Sequence, residues 1–295
     1  MHEDVIEAVH QANMLYGNAS SMHMAGRQAA LAIEQSRQSL ASLIDAEPSW
    51  IVFTSGASEA NNTVFNIFKE RIDIGSKRNR MVTTTIEHPS IIETVKYLKQ
   101  HGYKVDECPV DHTGMVNMDA MKSLLGEDVA LVSVMLGNNE IGTIQPVAEI
   151  AGLAHQVGAY VHTDATQAIG KIPVSMRELG VDYLSLSSHK FYGPKGVGAL
   201  AVKAKAPYTP LVHGGHQEGG KRAGTYNTPS IVGMGVAASI AQRDQKEEQE
   251  KLWKLREMLR LGILQRISNV VVNGNQEHCL PIPPASTWTV WASSP

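Results

Sequence analysis

The sequence is poor in the features that mark several large protein classes. It holds two cysteines in 295 residues, Cys108 and Cys279, far apart and in no Cys-x-x-Cys or other metal-ligand spacing. That excludes a disulfide scaffold and points to a reducing compartment. Neither sign of charge dominates, with 26 Lys and Arg against 29 Asp and Glu and a net charge of −3. General nucleic-acid and anionic-membrane binders need clustered positive charge, so neither partner is expected. The longest apolar runs, such as Val129 to Leu136, are far short of a membrane span, and the opening Met-His-Glu-Asp carries acid where a secretory signal carries base. These absences predict a soluble, cytoplasmic protein. No Gly-x-x-x-x-Gly-Lys-Ser/Thr loop is present, and Gly196-Val-Gly198-Ala-Leu-Ala201 runs into a strand-like stretch where a dinucleotide-binding turn must run into a helix. The twelve histidines include no His-Glu-x-x-His, and His213 and His216 lack a third ligand, so no metal site is expected.

What is present is an ordinary globular composition, 43% hydrophobic and 19% charged. The length suits two domains, or one large α/β domain with an appendage. Seven short β-rich runs recur at Trp50 to Thr54, Arg80 to Thr85, Lys104 to Cys108, Ala130 to Val134, Ala159 to His162, Tyr183 to Leu186 and Ala199 to Val202. Helical patterns lie between them, among them Ser90 to Gln100 and Val147 to Val157, with Gly102 and Gly158 as stops. Strands alternating with helices predict a mainly parallel sheet covered on both faces. The leucine periodicity of Gln242 to Arg266 predicts a long amphipathic helix leading out of the main domain, with a boundary near Gln245. The expected division is a large domain over 1–245 and a smaller unit over 246–295. Asn269 to Val272 reads as one more strand. Leu280 to Pro295 holds four of the thirteen prolines and two of the four tryptophans, and shows neither strand nor helix periodicity.

Ligands of open parallel sheets bind beyond the carboxyl ends of the strands, and several of these exits are polar. Thr54-Ser-Gly-Ala-Ser-Glu-Ala-Asn61 reads as a phosphate cradle at a helix start or as an ordinary N-cap. Asp164, in Thr163-Asp-Ala-Thr-Gln167, reads as a ligand carboxylate or a turn cap; Lys190, in Ser187-Ser-His-Lys190, as a reactive amine or a solvated lysine. Taken together, a phosphate nest, a carboxylate and a lysine at one sheet edge are the parts that pyridoxal 5'-phosphate needs. His88 could stack on its ring or cap a helix, and Asn139 could donate to the ring oxygen or serve turn chemistry.

Thr54-Ser-Gly-Ala-Ser-Glu-Ala-Asn-Asn62, Glu87-His-Pro89, Asn138-Asn-Glu-Ile-Gly142, His162-Thr-Asp-Ala-Thr-Gln-Ala168 and Ser187-Ser-His-Lys-Phe-Tyr-Gly-Pro-Lys-Gly196 resemble, in order, the motifs of class V aminotransferase-like enzymes. They look most like cysteine desulfurases of the NifS and IscS type, over about Asp4 to Leu280. The resemblance implies the type I fold of pyridoxal phosphate-dependent transferases, an α/β fold with a mainly parallel seven-stranded sheet sandwiched by helices and a remnant of a small C-terminal domain. It implies Lys190 as the Schiff-base lysine, Asp164 on the pyridinium and His88 stacked on the ring. It further implies Asn139 and Gln167 at the ring oxygen, and Ala57, Ser58, Ser187 and His189 around the phosphate. Gly214 to Thr225 resembles the loop that crosses the family's homodimer interface, with Thr225 at the partner's phosphate. The implied substrate is L-cysteine, converted to L-alanine with the sulfur passed toward iron-sulfur cluster or thio-cofactor synthesis through an acceptor protein.

The resemblance also has gaps. Family members begin with a segment like Leu-Asp-x-x-Ala-Thr-Thr-Pro and continue past the position of Ile282 with a loop carrying a sulfur-accepting cysteine and an arginine that clamps the substrate carboxylate. No counterpart stands in this sequence, and the expectation is a shortened or frame-shifted gene whose product keeps the cofactor half of the machinery. Cys108 reads as a buried hydrophobe, and Cys279 matches no catalytic position. Other readings are a non-catalytic, cofactor-binding scaffold and a class V transaminase or selenocysteine-lyase-like enzyme.

Overall fold

A computed structural model describes residues 1–281 and the backbone of 288–290. Seven strands form one sheet: β1 (Ile51–Thr54), β2 (Arg80–Thr84), β3 (Lys104–Cys108), β4 (Val129–Ser133), β5 (Tyr160–Asp164), β6 (Tyr183–Ser187) and β7 (Gly198–Val202). Their order is β1-β7-β6-β5-β4-β2-β3. Every pairing is parallel except those of β7, which runs antiparallel to β1 and β6. All seven strands expected from the sequence are present. The inner strands are buried on both faces, as near-continuous apolar runs such as Val129-Ala-Leu-Val require, while the edge strand β3 exposes Lys104 and Glu107.

Two apolar layers flank the sheet. On one face α3 (Ala57–Asp73) and α4 (Pro89–Gln100) set Val64, Phe65, Phe68, Ile91 and Val95 against Val52, Met81, Leu131, Tyr183 and Leu200. On the other, α2 (Met24–Leu43), α6 (Val147–Gln156) and α8 (Thr228–Arg266) set Ile33, Leu40, Ile150, Met234 and Ala238 against Phe53, Val132, Val161, Leu184 and Leu186. Helix α1 (Glu3–Ala12) packs on α8. Short helices α5 (Met118–Leu124) and α7 (Met176–Leu179) complete the set among the described residues.

Two expectations change. The long helix starts at Thr228, not near Gln242, and is continuous through Gln245. Its start is set by the Asn227 side chain, which caps the Ser230 N–H, and by Pro229 in the first turn. Residues 228–241 carry small and apolar side chains that bury against α1 and α2, so a charge-based reading sees only the exposed second half. In the tail, Trp288–Val290 (β9) pairs antiparallel with Val270–Val272 (β8), where no strand periodicity was expected. A three-residue strand is too short to show alternation, and pairing with β8 defines it. Before it, the chain packs on the loop that follows β4: the Leu280 N–H donates to Gly142 O at 2.8 Å and Ile144 N–H to His278 O at 2.9 Å.

Candidate active site

The carboxyl ends of β1, β4, β5 and β6 open into one cavity of about 440 Å³, within the range of small-molecule sites. Its floor is the turn from β1 into α3. Gly56, the N-cap, has φ +154° and ψ 177°, a conformation open essentially to glycine alone. No side chain caps this helix, so its first N–H groups are left for a ligand, with Ser55, Ser58 and Ser187 lining the same wall. Gly198 of β7 lets this turn sit against the sheet: a Cβ there would lie 2.6 Å from Gly56 Cα and from Leu186 O.

Asp164 ends β5 and is buried at the cavity wall. Its Oδ2 accepts from Asn61 Nδ2 at 2.7 Å and its Oδ1 from the Thr166 N–H at 3.0 Å. Two residues upstream, His162 is fully buried between Ser133 Oγ at 2.8 Å and Ser185 Oγ at 2.9 Å, a rung across β4, β5 and β6. Burial pushes its pKa down to about 4, so the rung is neutral and fixes the strand end without adding charge beside Asp164.

Lys190 stands in a 3₁₀ turn (Ser188–Phe191) that closes on Tyr192 in the left-handed region, φ +66°. Around it are two further cations. Lys195 lines the cavity, and Lys171, whose Nζ donates to Gln167 Oε1 at 2.9 Å, is pushed down to about 8 by burial and by the charge of Lys190. His189 Nδ1 meets Ser187 Oγ at 2.9 Å, and burial together with the charges of Lys190, Lys195 and Lys171 holds its pKa below the ordinary histidine value. This wall favours an anion.

The opposite wall comes from two loops. His88 caps α4, and Glu87 beside it is buried, its Oε1 accepting from Thr84 Oγ1 at 2.7 Å and from the Met135 N–H at 2.9 Å. Burial pushes Glu87 up to about 8 against those two hydrogen bonds, with the charge of Asp164 adding to the rise. Asn138 donates to Ile86 O at 3.0 Å and accepts from the Glu140 and Ile141 N–H groups, which bolts the 85–88 and 135–142 loops together. Asn139 Nδ2 donates to Glu140 Oε1 at 2.8 Å.

Ala57, Ser58, His88, Asn139, Asp164, Gln167, Ser187, His189 and Lys190 all line this cavity. Thr225 does not. It is exposed and lines an adjoining cavity of about 250 Å³, which shares Ser55 and Gly196 with the first. Sequence reasoning overlooked Asn61, Ser90, Glu87 and Lys171 as contributors to the site. Asn61 was legible in principle, since it sits one helical turn after Ala57 and one before Phe65, a polar residue on an apolar stripe. Neither cysteine faces the cavity; both are buried, and burial pushes the Cys108 thiol up to about 11 and raises that of Cys279. Among the described residues no cluster of three or more His, Cys, Asp or Glu is disposed to hold a metal, and no helix is long and apolar enough to cross a membrane.

The residues fit pyridoxal phosphate as a group: an uncapped helix start beside hydroxyls for a phosphate, a carboxylate fixed by two donors for a ring nitrogen, and an amine lining the same cavity. Thr166 Oγ1, buried at the same wall without a hydrogen-bond partner, adds an unused polar atom. Residues 1–282 match the Aminotransferase class-V family. The chain is 43% identical over 266 residues to a protein described as cysteine desulfurase IscS of Dictyoglomus turgidum, covering 90% of this chain and 67% of that one. It is 41% identical over 268 residues to cysteine desulfurase NifS of Azotobacter vinelandii, covering 90% and 66%. It thus spans about two thirds of the length of the curated relatives it matches. Among solved structures, a NifS-like protein superposes with TM-score 0.91 at 39% identity, covering 95% of this chain and 77% of that one. SspA in complex with cysteine superposes with TM-score 0.76 at 35% identity, covering 81% and 69%.

Proposed function

We propose, from the premise that this chain belongs to the aminotransferase class-V family and to its cysteine desulfurases of the NifS and IscS type, that the cavity beyond β1, β4, β5 and β6 binds pyridoxal 5'-phosphate and acts on L-cysteine. The observation that carries the reading is the convergence of Lys190, Asp164 and the uncapped start of α3 on one cavity. The neighbour solved with cysteine supports the substrate.

When bound, the cofactor supplies an aldehyde that condenses with amines and a ring that draws electrons away from the substrate's α-carbon. The N–H groups of the first α3 turn, with Ser58, Ser187 and His189, bind the phosphate. Asp164, held in place by Asn61 and Thr166, keeps a proton on the ring nitrogen. Gln167 is oriented by Lys171: an ammonium only donates, so Oε1 must face it and the amide N–H groups face away, available to the ring oxygen together with Asn139. Lys190 Nζ would hold the cofactor through its aldehyde and, as a free amine lining the same cavity, would carry the substrate's α-proton. His88 covers the ring from the other wall. Sulfur leaves to a thiolate, and since both cysteines are buried and hard to ionise, the thiolate comes from elsewhere than Cys108 or Cys279. The exposed position of Thr225 supports a role at the phosphate of a second copy in a homodimer. The reading places the chain in the cytoplasm, where its two unpaired cysteines stay reduced, and divides it into a cofactor domain over 1–245 and part of a small domain over 246–295.

The test is an absorbance titration of purified protein with pyridoxal phosphate, followed by L-cysteine and a thiol reductant, with alanine and sulfide assayed together. Cofactor absorbance with cysteine-dependent alanine and sulfide supports the enzyme. Cofactor absorbance without either product favours a cofactor-binding scaffold, for which the buried cysteines argue, and accumulation of pyridoxamine phosphate with an amino donor favours a transaminase.

A further inference from the structure

Asn61 is fully buried on α3, and its amide nitrogen commits both protons within the site. One goes to Asp164 Oδ2 at 2.7 Å and the other to Ser90 Oγ at 2.9 Å. With Asn61 as its donor, the Ser90 hydroxyl directs its own proton to its remaining neighbour, His88 Nδ1, at 2.8 Å. The Ser90 backbone N–H reaches the same nitrogen at 3.1 Å. A backbone amide only donates, so Nδ1 bears a lone pair and no proton. The ring proton therefore lies on Nε2, the nitrogen with no protein hydrogen-bond partner among the described residues, on a ring that lines the cavity.

We propose that Asn61 and Ser90 are positioning residues that present His88 to the cavity as the neutral Nε2–H tautomer, in one hydrogen-bonded frame with Asp164. The inference deepens the proposed function and rests on it for the ligand, although the tautomer itself is a property of the empty protein. His88 then offers its cavity ligand an N–H donor. The two walls of the site are coupled as well, since moving the Asp164 carboxylate disturbs Asn61, Ser90 and the His88 ring in turn.

The ¹⁵N spectrum of histidine-labelled, cofactor-free protein at neutral pH reads the tautomer directly, the His88 signals being assigned by their loss in His88→Asn. The expected result is an Nε2–H pattern for His88 in the wild type. Ser90→Ala removes one of two donors to Nδ1 and is expected to reduce the preference roughly threefold to tenfold. Ser90→Thr keeps the hydroxyl and restores it, and Asn61→Ala, which frees that hydroxyl, moves the signals in the same direction as Ser90→Ala. An Nδ1–H or doubly protonated ring in the wild type overturns the proposal, as does a Ser90→Ala spectrum identical to the wild type. Titrating the same sample with pyridoxal phosphate judges the other reading separately: no binding overturns the cofactor site and leaves the tautomer standing.

Discussion

Arg222 closes on Glu59 through two hydrogen bonds, Nε to Oε1 at 2.9 Å and Nη2 to Oε2 at 3.2 Å, and so ties the glycine-rich loop of residues 214–225 to the first turn of α3. The same carboxylate accepts the Ser55 N–H at 2.9 Å. Burial works against the charge on Glu59, but these hydrogen bonds prevail and hold its pKa below the ordinary carboxylate value. One ionised side chain thus fixes both the phosphate turn and the loop that carries Thr225. Earlier in the loop, Glu218 is gripped by Arg37 at 2.8 and 2.9 Å and by the Phe53 N–H at 2.9 Å, which anchors it to α2 and β1.

Arg222→Ala leaves Glu59 charged and mostly buried without its partner. Stability is expected to fall by about 1 kcal/mol, since the arginine is itself partly exposed. Limited proteolysis should then cut within residues 214–225. Wild-type denaturation and an uncut loop would show that the pair does not hold the loop down.

Lys190→Ala should abolish the visible absorbance of the cofactor-loaded protein and lower any turnover by at least about a thousandfold. The thermal midpoint of the cofactor-free protein should stay unchanged, because the lysine side chain makes no hydrogen bond among the described residues that its loss would break. Retention of the band at its normal position would mean that a different lysine, Lys171 or Lys195, carries the cofactor.

Asp164→Ala strands the Asn61 amide and the Thr166 N–H, at roughly 1 to 3 kcal/mol for each buried donor left unpaired. Asp164→Asn removes the charge at nearly constant shape, its carbonyl oxygen still accepting from one of the two donors while its amide nitrogen faces the other. Both variants should weaken cofactor binding by at least about tenfold, in line with a lost ion pair. Wild-type affinity in Asp164→Asn would remove the electrostatic role of this residue.

Glu87 and His162 set opposite limits on the pH range of stability. The Glu87 carboxyl has a folded value of about 8 against an ordinary 4.5, so its contribution is complete below 4.5 and is lost as pH rises through 8. His162 has about 4 against 6.5, so its contribution is complete above 6.5 and is lost as pH falls through 4. Thermal midpoints of wild type and Glu87→Gln should match at pH 4 and diverge toward pH 8, with the glutamine variant the more stable there. A constant gap would show that Glu87 is not buried as the neutral acid.

Gly198→Ala forces a methyl group into the space between Gly56 and the Leu186 carbonyl, where backbone has no room to give. The variant is expected to lose about 1 to 3 kcal/mol of stability and to bind the cofactor phosphate poorly, because the turn into α3 must shift. Equal phosphate affinity in wild type and variant, measured with inorganic phosphate, would indicate that the cradle does not depend on this contact.

Much of this protein was legible before folding. Seven apolar runs separated by helical patterns specify a covered, mainly parallel sheet, because a strand hydrophobic on both faces has nowhere else to go. Asp164, Lys190 and the turn after β1 stood out as candidates because a parallel sheet sends its carboxyl ends to one edge, whereas Ala57, Ser58, Ser187 and His189 were assigned to the phosphate by the resemblance; all of them line one cavity. The sequence could not show that β7 runs backwards between β1 and β6, since local periodicity carries no direction. Nor could it show that Thr225 stays outside the cavity its neighbours line, or that α8 begins at Thr228, where small residues pack on α1 and α2. Local pattern determines which side chains stand at a strand end or on a helix face. The Ser90 contacts to His88 Nδ1 are local to the start of α4, but only the tertiary structure brings Asn61 of α3 within reach of both Ser90 and Asp164 of β5, and that proximity joins the two walls of the site in one hydrogen-bonded frame.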